Sequence, residues 1–297
     1  MAAQTTTFDD RDGFIWLDGE MIAWRDARVH VLTHALHYAS SVFEGQRAYN
    51  GTIFKLQEHS ERLRRSASLL GFELPWTVDE INGACNEVLK VNGFTDAYMR
   101  PLAWRGSESM GVAPGTTKPH VAIAAWEWGK YYEPRMSENG IRLEIAPWRR
   151  PAPYTAPTAS KASGLYMICT LSKQHAEANG YNDALMLDWR GRVAEATGAN
   201  VFFVRDNMLH TPEPDCFLDG ITRRTVMDLA RKRGVEVSQR PIWPEELESF
   251  EQMFLTGTAV EITPVRSAGP WNFEVGNLTR QLAKDYDDLV NGRIPND

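Results

Sequence analysis

Two dipeptides, Asp18-Gly19 and Asn50-Gly51, constrain this chain more than any other feature. They sit in "FIWLDGEMIAW" and "SSVFEGQRAYNGTIFKL", between short runs of strand character. Both pairs suit the left-handed turns that close two-residue hairpins. Helical patterns follow these hairpins. "LQEHSERLRRSASLLG" reads as a helix stopped by Gly71, and "TVDEINGACNEVLKVNG" as a helix with Thr77 as N-cap. "DAYMRPLAWRG" and "HVAIAAWEWG" return to strand patterns. After the polar stretch "KYYEPRMSENG" the mixture repeats. "IRLEIAPW" reads as a strand, residues 163 to 178 as a helix ending at Asn179-Gly180, and "DALMLDWRGRVAEAT" and "ANVFFVRDNMLHT" as hairpins. "GITRRTVMDLARKRG" is a helix stopped by Gly234. "QMFLTGTAVEITPV" is a strand, a turn centred on Gly257 and another strand. Strands and helices do not alternate strictly, which predicts an α+β fold rather than a doubly wound sheet. The 297 residues suit two domains. We place them at 1–131 (smaller) and 141–297 (larger), joined by a linker over 132–140.

Composition excludes several classes of function. Apolar residues make up 43% and charged residues 24%, as in ordinary soluble proteins. A net charge of −7 argues against nucleic acid as a partner, which needs a basic field. No run of 18 apolar residues exists to span a membrane. The start, "MAAQTTTFDDRDG", lacks the basic and apolar regions of a signal peptide. Cys85, Cys169 and Cys216 are widely spaced and odd in number, so they read as reduced core thiols. Together these predict a cytoplasmic protein.

Several residues are candidates for chemistry. Lys161, in "TASKASGLY", lies among Ala159, Ser160, Ala162, Ser163 and Gly164. A lysine that forms a Schiff base needs such room; the alternative is an exposed lysine on a loop of small residues, and this stretch alone favours it. Tyr166 follows by about one turn and is either a ring-oxygen partner or a packing tyrosine. Glu195, in "RVAEATGANVFF", is either a buried carboxylate in need of a cation or an outward-facing strand residue. Gly220, Ile221 and Thr222 start a helix, where backbone N–H groups and the dipole favour an anion; the alternative, which the stretch alone favours, is an ordinary N-cap by Thr222. The Gly257-Thr258-Ala259 turn offers a second set of N–H groups. Alternation puts Phe43, Gly45, Arg47 and Tyr49 on one strand face and Tyr98 with Arg100 on another. Aromatics with arginine suit an apolar pocket with a carboxylate clamp; the alternative, favoured for each strand taken singly, is a solvated arginine face. His30, His34 and His37 lack the flanking carboxylate of a zinc motif and read as packing residues, so no metal site is expected.

Seven stretches, "HALHYASSVFEGQRAY", "EHSERLRRSA", "YMRPL", "ASKASGLY", "VAEATGANVF", "DGITR" and "GTAVEITPVR", resemble the branched-chain amino acid aminotransferases of the fold-type IV pyridoxal phosphate enzymes. They occur in the family's order, from about Phe14 to about Leu289. The resemblance implies a two-domain architecture like that of D-amino acid aminotransferase, with pyridoxal 5'-phosphate at the domain junction. In it Lys161 matches the lysine of the internal aldimine. Tyr166 matches the tyrosine at the ring oxygen, and Glu195 the carboxylate at the pyridine nitrogen. Arg62, Gly220, Ile221, Thr222 and Thr258 match the phosphate site, and Leu218 the residue on the ring face. Tyr38, Phe43, Gly45, Arg47, Tyr98, Arg100, Trp128, Tyr131, Thr258 and Ala259 match the substrate pocket.

The implied reaction is ping-pong transamination between leucine, isoleucine or valine and 2-oxoglutarate, giving 2-oxo acids and L-glutamate. Arg100, with Arg47, would receive glutamate's distal carboxylate. Small amino and 2-oxo acids are the implied partners, and a homodimer at least is the implied assembly. The chain departs from the family in Met99 of "YMRPL" and in the loop after Arg105, a segment that helps set specificity. Alternatives on the same scaffold are an (R)-amine or D-amino acid transaminase and a lyase of the aminodeoxychorismate type.

Overall fold

The computed structural model describes residues 7–129, 131–132 and 134–295. Glu133 of the expected linker and the first six residues of the start read above lie outside the described residues. The chain divides into two compact units, Met1–Gly129 with Ser160–Gly164, and Lys130–Ala159 with Leu165–Asp297.

The first unit contains β1 (Phe14–Leu17), β2 (Glu20–Ala23), α1 (His34–Tyr38), β3 (Ser41–Phe43), β4 (Gln46–Tyr49) and β5 (Thr52–Ile53). It continues with α2 (Leu56–Leu69), α3 (Val78–Val91), β6 (Ala97–Arg105) and β7 (Pro119–Glu127). Its strands form an antiparallel sheet in the order β2-β1-β7-β6-β4-β5, with β3 also on β6. Both expected hairpin turns are present. Asp18 (φ 51) and Gly19 (φ 106) join β1 to β2, and Asn50 (φ 50) and Gly51 (φ 78) join β4 to β5.

β3 and β4 are one strand line broken at Glu44 and Gly45, opposite Pro101 of β6. The Glu44 N–H donates to the Pro101 carbonyl at 2.8 Å. In an antiparallel pair a residue's N–H points to the same side as its carbonyl, so Pro101 withholds a donor from this side. The interruption falls where the ladder has a gap. On the other face, Leu63 and Ala67 of α2 and Ile81 and Val88 of α3 close a core over Val42, Ala48, Met99 and Ile123. Thr77 starts α3 as expected, in a capping box with Glu80.

The second unit contains α4 (Pro134–Asn139), β8 (Ile141–Ile145), α5 (Met167–Ala178), β9 (Asp183–Leu187), β10 (Val193–Ala196), β11 (Asn200–Arg205) and β12 (Met208–Thr211). There follow α6 (Ile221–Lys232), β13 (Val237–Gln239), β14 (Gln252–Gly257), β15 (Glu261–Ala268), β16 (Trp271–Asn272) and α7 (Asn277–Val290). The sheet runs β10-β9-β8-β15-β14-β11-β12-β13, with β16 on β15. It is mixed, since β8 pairs parallel with β9 and β15, and β12 with β13. These parallel pairs and α7 are additional to the expected elements. The helix expected over 163 to 178 begins as a 3-10 turn, Ser163–Tyr166, before α5. One antiparallel and one mixed sheet, with helices out of strict alternation, make the fold α+β, as expected. Among the described residues no helix is long and apolar enough to cross a membrane.

Candidate active site

In the first unit the Lys161 segment is held by its backbone. The Lys161 N–H donates to Ser66 Oγ at 3.0 Å, and the Lys161 carbonyl accepts the Phe43 N–H at 3.2 Å. Ser160 Oγ donates to the Ser66 carbonyl at 2.9 Å, and Ala162 bridges to Val42. The small neighbours of Lys161 permit this close docking on α2 and β3. A Cβ on Gly164 would stand 3.0 Å from that of Ala39. Lys161 Nζ lies over the Phe43 ring, 5.0 Å from its centroid.

From Phe43 a row of side chains crosses one sheet face. The Arg100 guanidinium stacks 4.7 Å from Phe43 and donates through Nη2 to the Tyr98 hydroxyl at 3.2 Å. Tyr98 packs on Trp128 with centroids 5.1 Å apart. Arg47 lies opposite Tyr98 in register and stacks on Tyr49. Gly45 leaves space for Tyr98, because a Cβ there would fall 2.1 Å from the hydroxyl. Phe43, Gly45, Arg47, Tyr98, Arg100 and Trp128 are thus brought together. Tyr38 stands apart at the end of α1, 42% exposed and bonded to the Met110 carbonyl at 3.1 Å. His34, on the same helix, uses its ring nitrogens on Ser40 Oγ and the Gly111 carbonyl.

Arg62 faces a carboxylate that the sequence reading missed. Its Nε and Nη2 donate to the two oxygens of Glu44 at 2.6 and 2.8 Å. His59 Nδ1 meets the same carboxylate at 2.7 Å. Burial opposes ionisation of Glu44, yet the charge and hydrogen bond of Arg62 and the bond from His59 hold its pKa below the ordinary value. A signal existed. Alternation sets Glu44 on the helix-facing side of its strand, with Val42 and Ala48, where a carboxylate requires a cation.

In the second unit Glu195 is 9% exposed. The outward-facing alternative fails because all four residues of β10 are buried, with a register shift between Val193 and Glu195. Its Oε1 lies 3.4 Å from Arg150 Nε, and its Oε2 accepts from Asn200 Nδ2 at 3.3 Å. Asn200 also donates to the Leu218 carbonyl at 3.0 Å, and a Cβ on Gly220 would fall 2.2 Å from Asn200 Oδ1. One amide therefore links Glu195 to the Leu218 carbonyl and lies close against Gly220. Ile221 and Thr222 begin α6, buried, and Gly220 caps that helix without a side-chain hydrogen bond. Arg223, wholly buried, fixes the turn through Asp219, the Pro212 carbonyl and Gln239. Tyr166 packs beside Ala146 and Cys169 at the start of α5. Arg150 reaches the same place, 3.4 Å from Cys169 Sγ. Burial disfavours the charge on Arg150, but Glu195 holds it more firmly protonated than usual. Thr258 and Ala259 form the turn between β14 and β15. Ala259 and Tyr131 line one cleft of about 530 Å³. Arg150 and Asn200 were not evident in the sequence. Burial pushes the Cys85 and Cys216 thiols up to about 12 and that of Cys169 up to about 11, so none is a ready nucleophile.

The profile of the family described as amino-transferase class IV matches residues 41–268. The chain is 43% identical to a probable branched-chain-amino-acid aminotransferase of Rickettsia felis, covering 93% of this chain and 95% of the relative. It is 41% identical to the branched-chain-amino-acid aminotransferase of Pseudomonas aeruginosa, over 96% and 95%. The chain belongs to the class IV aminotransferases, in their branched-chain group. A T.th. branched-chain amino acid aminotransferase, solved with pyridoxamine 5'-phosphate, superposes with a TM-score of 0.93 at 38% identity, covering 96% of both chains. The same enzyme with N-(5'-phosphopyridoxyl)-L-glutamate gives 0.91 at 37%, again over 96% of each.

Class IV aminotransferases depend on pyridoxal phosphate, and the residues present fit that group. Gly220 keeps the backbone at the start of α6 bare of a Cβ that Asn200 would exclude. The buried Thr256 Oγ1, opposite Asn200 in register, has no hydrogen-bond partner among the described residues. Each unit supplies groups that suit an anionic pyridine aldehyde: in the first a primary amine over an aromatic face and an arginine, in the second a buried carboxylate and a helix start without a side-chain cap.

Proposed function

We propose that this aminotransferase exchanges amino groups between branched-chain L-amino acids and 2-oxoglutarate, in ping-pong fashion, with pyridoxal phosphate as cofactor. The observation that carries the reading is the backbone-fixed Lys161, its amine set against Phe43 at the head of the aromatic and arginine row. The names of the relatives support the branched-chain substrate, and the glutamate adduct of the T.th. enzyme supports the glutamate pair.

Bound pyridoxal phosphate supplies an electron sink for the charge left on the substrate α-carbon when its proton departs. The residues do the rest. Lys161 Nζ would hold the cofactor's carbonyl carbon and, when its amine is free, would carry the substrate α-proton. Glu195 keeps a proton on the ring nitrogen by opposite charge. Arg62, the N–H groups of Ile221 and Thr222 and the Thr258 hydroxyl bind the phosphate, and Gly220 allows close approach. Tyr166 orients the ring oxygen, and Leu218 packs on the ring. Phe43, Tyr98, Trp128 and Tyr131 enclose the aliphatic side chain, with Gly45 making room for the Tyr98 hydroxyl. Arg100 and Arg47 receive the distal carboxylate of glutamate. The Thr258-Ala259 turn receives the α-carboxylate.

Val29, Val31, Leu32 and Leu36 are all about half exposed or more, an apolar run that a second copy would cover. We read the assembly as a homodimer at least. Three buried free thiols suit a reducing compartment, the cytoplasm.

A half-reaction screen tests the function. L-leucine, L-isoleucine, L-valine and L-glutamate should each bleach the visible absorption of the cofactor-loaded protein. D-amino acids and (R)-amines should not. Bleaching by D-alanine or an (R)-amine with L-leucine inert would reassign the substrate. Pyruvate release from aminodeoxychorismate without any keto acid would make the protein a lyase.

A further inference from the structure

Glu44, His59 and Arg62 form a charged cluster in the first unit whose role is not explained by stability. Glu44 is wholly buried. A buried ion pair is often no better for stability than well-packed apolar residues of similar volume. What such a pair does provide is geometry. Two short hydrogen bonds, 2.6 and 2.8 Å, fix the plane of the Arg62 guanidinium. The bond from His59 fixes the carboxylate in turn. The Arg62 side chain also keeps 16% of its exposure while Glu44 keeps none, so the cluster is closed at its carboxylate end.

The same helix face carries a second anchor. His59, Arg62 and Ser66 are spaced three and four apart, so they share one side of α2. Ser66 is the residue that holds the backbone of Lys161. Arg62 and the Lys161 anchor are therefore one helical turn apart, about 6 Å along the axis.

We propose that Glu44, steadied by His59, is a positioning residue that presents Arg62 to the cofactor phosphate in a single preset orientation. Glu44 itself touches no part of the cofactor. The proposal rests on the reading of Arg62 as a phosphate ligand. It predicts that Glu44 governs the phosphate-dependent part of cofactor affinity alone.

The test uses protein freed of cofactor with an amine and titrated with pyridoxal phosphate or with pyridoxal, which lacks the phosphate, followed by absorption. Glu44→Gln should weaken pyridoxal phosphate binding by about tenfold or more, the loss expected for a charge-assisted hydrogen bond. Pyridoxal binding should stay within about twofold. Arg62→Gln should show the same selectivity, and the double variant should bind pyridoxal phosphate no more weakly than Arg62→Gln. Wild-type affinity in Glu44→Gln, equal losses for both ligands, or additive losses in the double variant would each overturn the proposal. If Arg62→Gln itself binds pyridoxal phosphate as wild type does, the phosphate reading fails first and takes the proposal with it. Should Glu44→Gln not fold, His59→Phe spares the ion pair and loses the bond that steadies it. That variant should show a smaller loss, again confined to pyridoxal phosphate, and a loss for both ligands or for neither overturns the idea.

Discussion

Each unit places a buried carboxylate against an arginine, and the two arrangements differ in kind. Glu44 is fully buried and held at 2.6 to 2.8 Å by Arg62 and His59. Glu195 sits 3.4 Å from Arg150 and 3.3 Å from Asn200, with 12% of its side chain exposed. The Asn200 contact is a long hydrogen bond, and the Arg150 contact is an ion pair. Short bidentate contacts commit a carboxylate to its arginine, which suits a part that holds another part. Longer contacts orient a carboxylate without locking its plane to one arginine, which suits one that meets a ring nitrogen. Glu44 should therefore act on affinity and stability, and Glu195 on turnover.

The largest effect sets the scale. Lys161→Ala should lower transamination by about four orders of magnitude, the upper range for losing a general acid–base group. Rapid-quench assays with L-leucine and 2-oxoglutarate measure it, and near wild-type turnover would end the assignment. Glu195→Gln comes next. It keeps shape but not charge, so the protein should still take up cofactor while turnover falls about a hundredfold or more. If Glu195→Gln lost cofactor affinity and kept turnover, the two carboxylates would have exchanged roles and the contrast would collapse.

Stability sharpens the other side. The Glu44 carboxyl is held below its ordinary 4.5 in the folded chain and returns to that range when unfolded. The unfolded form then binds more protons, so this stabilisation is complete above about pH 4.5 and drains away as pH falls toward the native pKa. Removing one partner of a buried pair costs about 3 kcal/mol. Urea unfolding of cofactor-free protein should show Glu44→Gln less stable by about that amount at pH 7, with the gap closing in acid. A gap unchanged from pH 7 to pH 3 would mean that the side chain's bulk, not its charge, is what the fold uses.

These roles were unequally legible in the sequence. The hairpins at Asp18-Gly19 and Asn50-Gly51 were readable because turn chemistry is local. So was α3, through Thr77 and Glu80. Lys161 and Glu195 were singled out by the family resemblance, because each stretch alone also suits a plainer reading; the helix start at α6 was legible from Gly220 onward. The parallel pairs of β8 with β9 and β15 were not, because their partners are distant and no dipeptide encodes such a register. Nor was the break opposite Pro101, which needs the β4–β6 alignment. Glu44 lay between. Its strand parity pointed to a helix, and "EHSERL" offered His59 and Arg62 on one helix face, but only the fold joins the two. Arg150 gave no signal, since "PWRRPAP" has no periodicity to mark a buried cation.

Two glycines give the finest test of the contrast. Neither Gly45 nor Gly220 has a positive φ, so each is required for space rather than for backbone freedom. A methyl on Gly45 would meet the Tyr98 hydroxyl at 2.1 Å, and one on Gly220 would meet Asn200 Oδ1 at 2.2 Å. Both contacts force a shift, at the 1–3 kcal/mol typical of overpacking, or roughly tenfold in an equilibrium. The shifts travel differently. Tyr98 is bonded to Arg100, so Gly45→Ala should raise KM for amino acid about tenfold and leave cofactor affinity alone. Asn200 is bonded to Glu195 and to the Leu218 carbonyl, so Gly220→Ala should weaken cofactor binding by a similar factor and leave KM alone. Steady-state kinetics at saturating cofactor, with absorption titration of the cofactor-free protein, separates the two. If Gly45→Ala moved cofactor affinity instead, the aromatic and arginine row would belong to the cofactor's support and not to the choice of substrate.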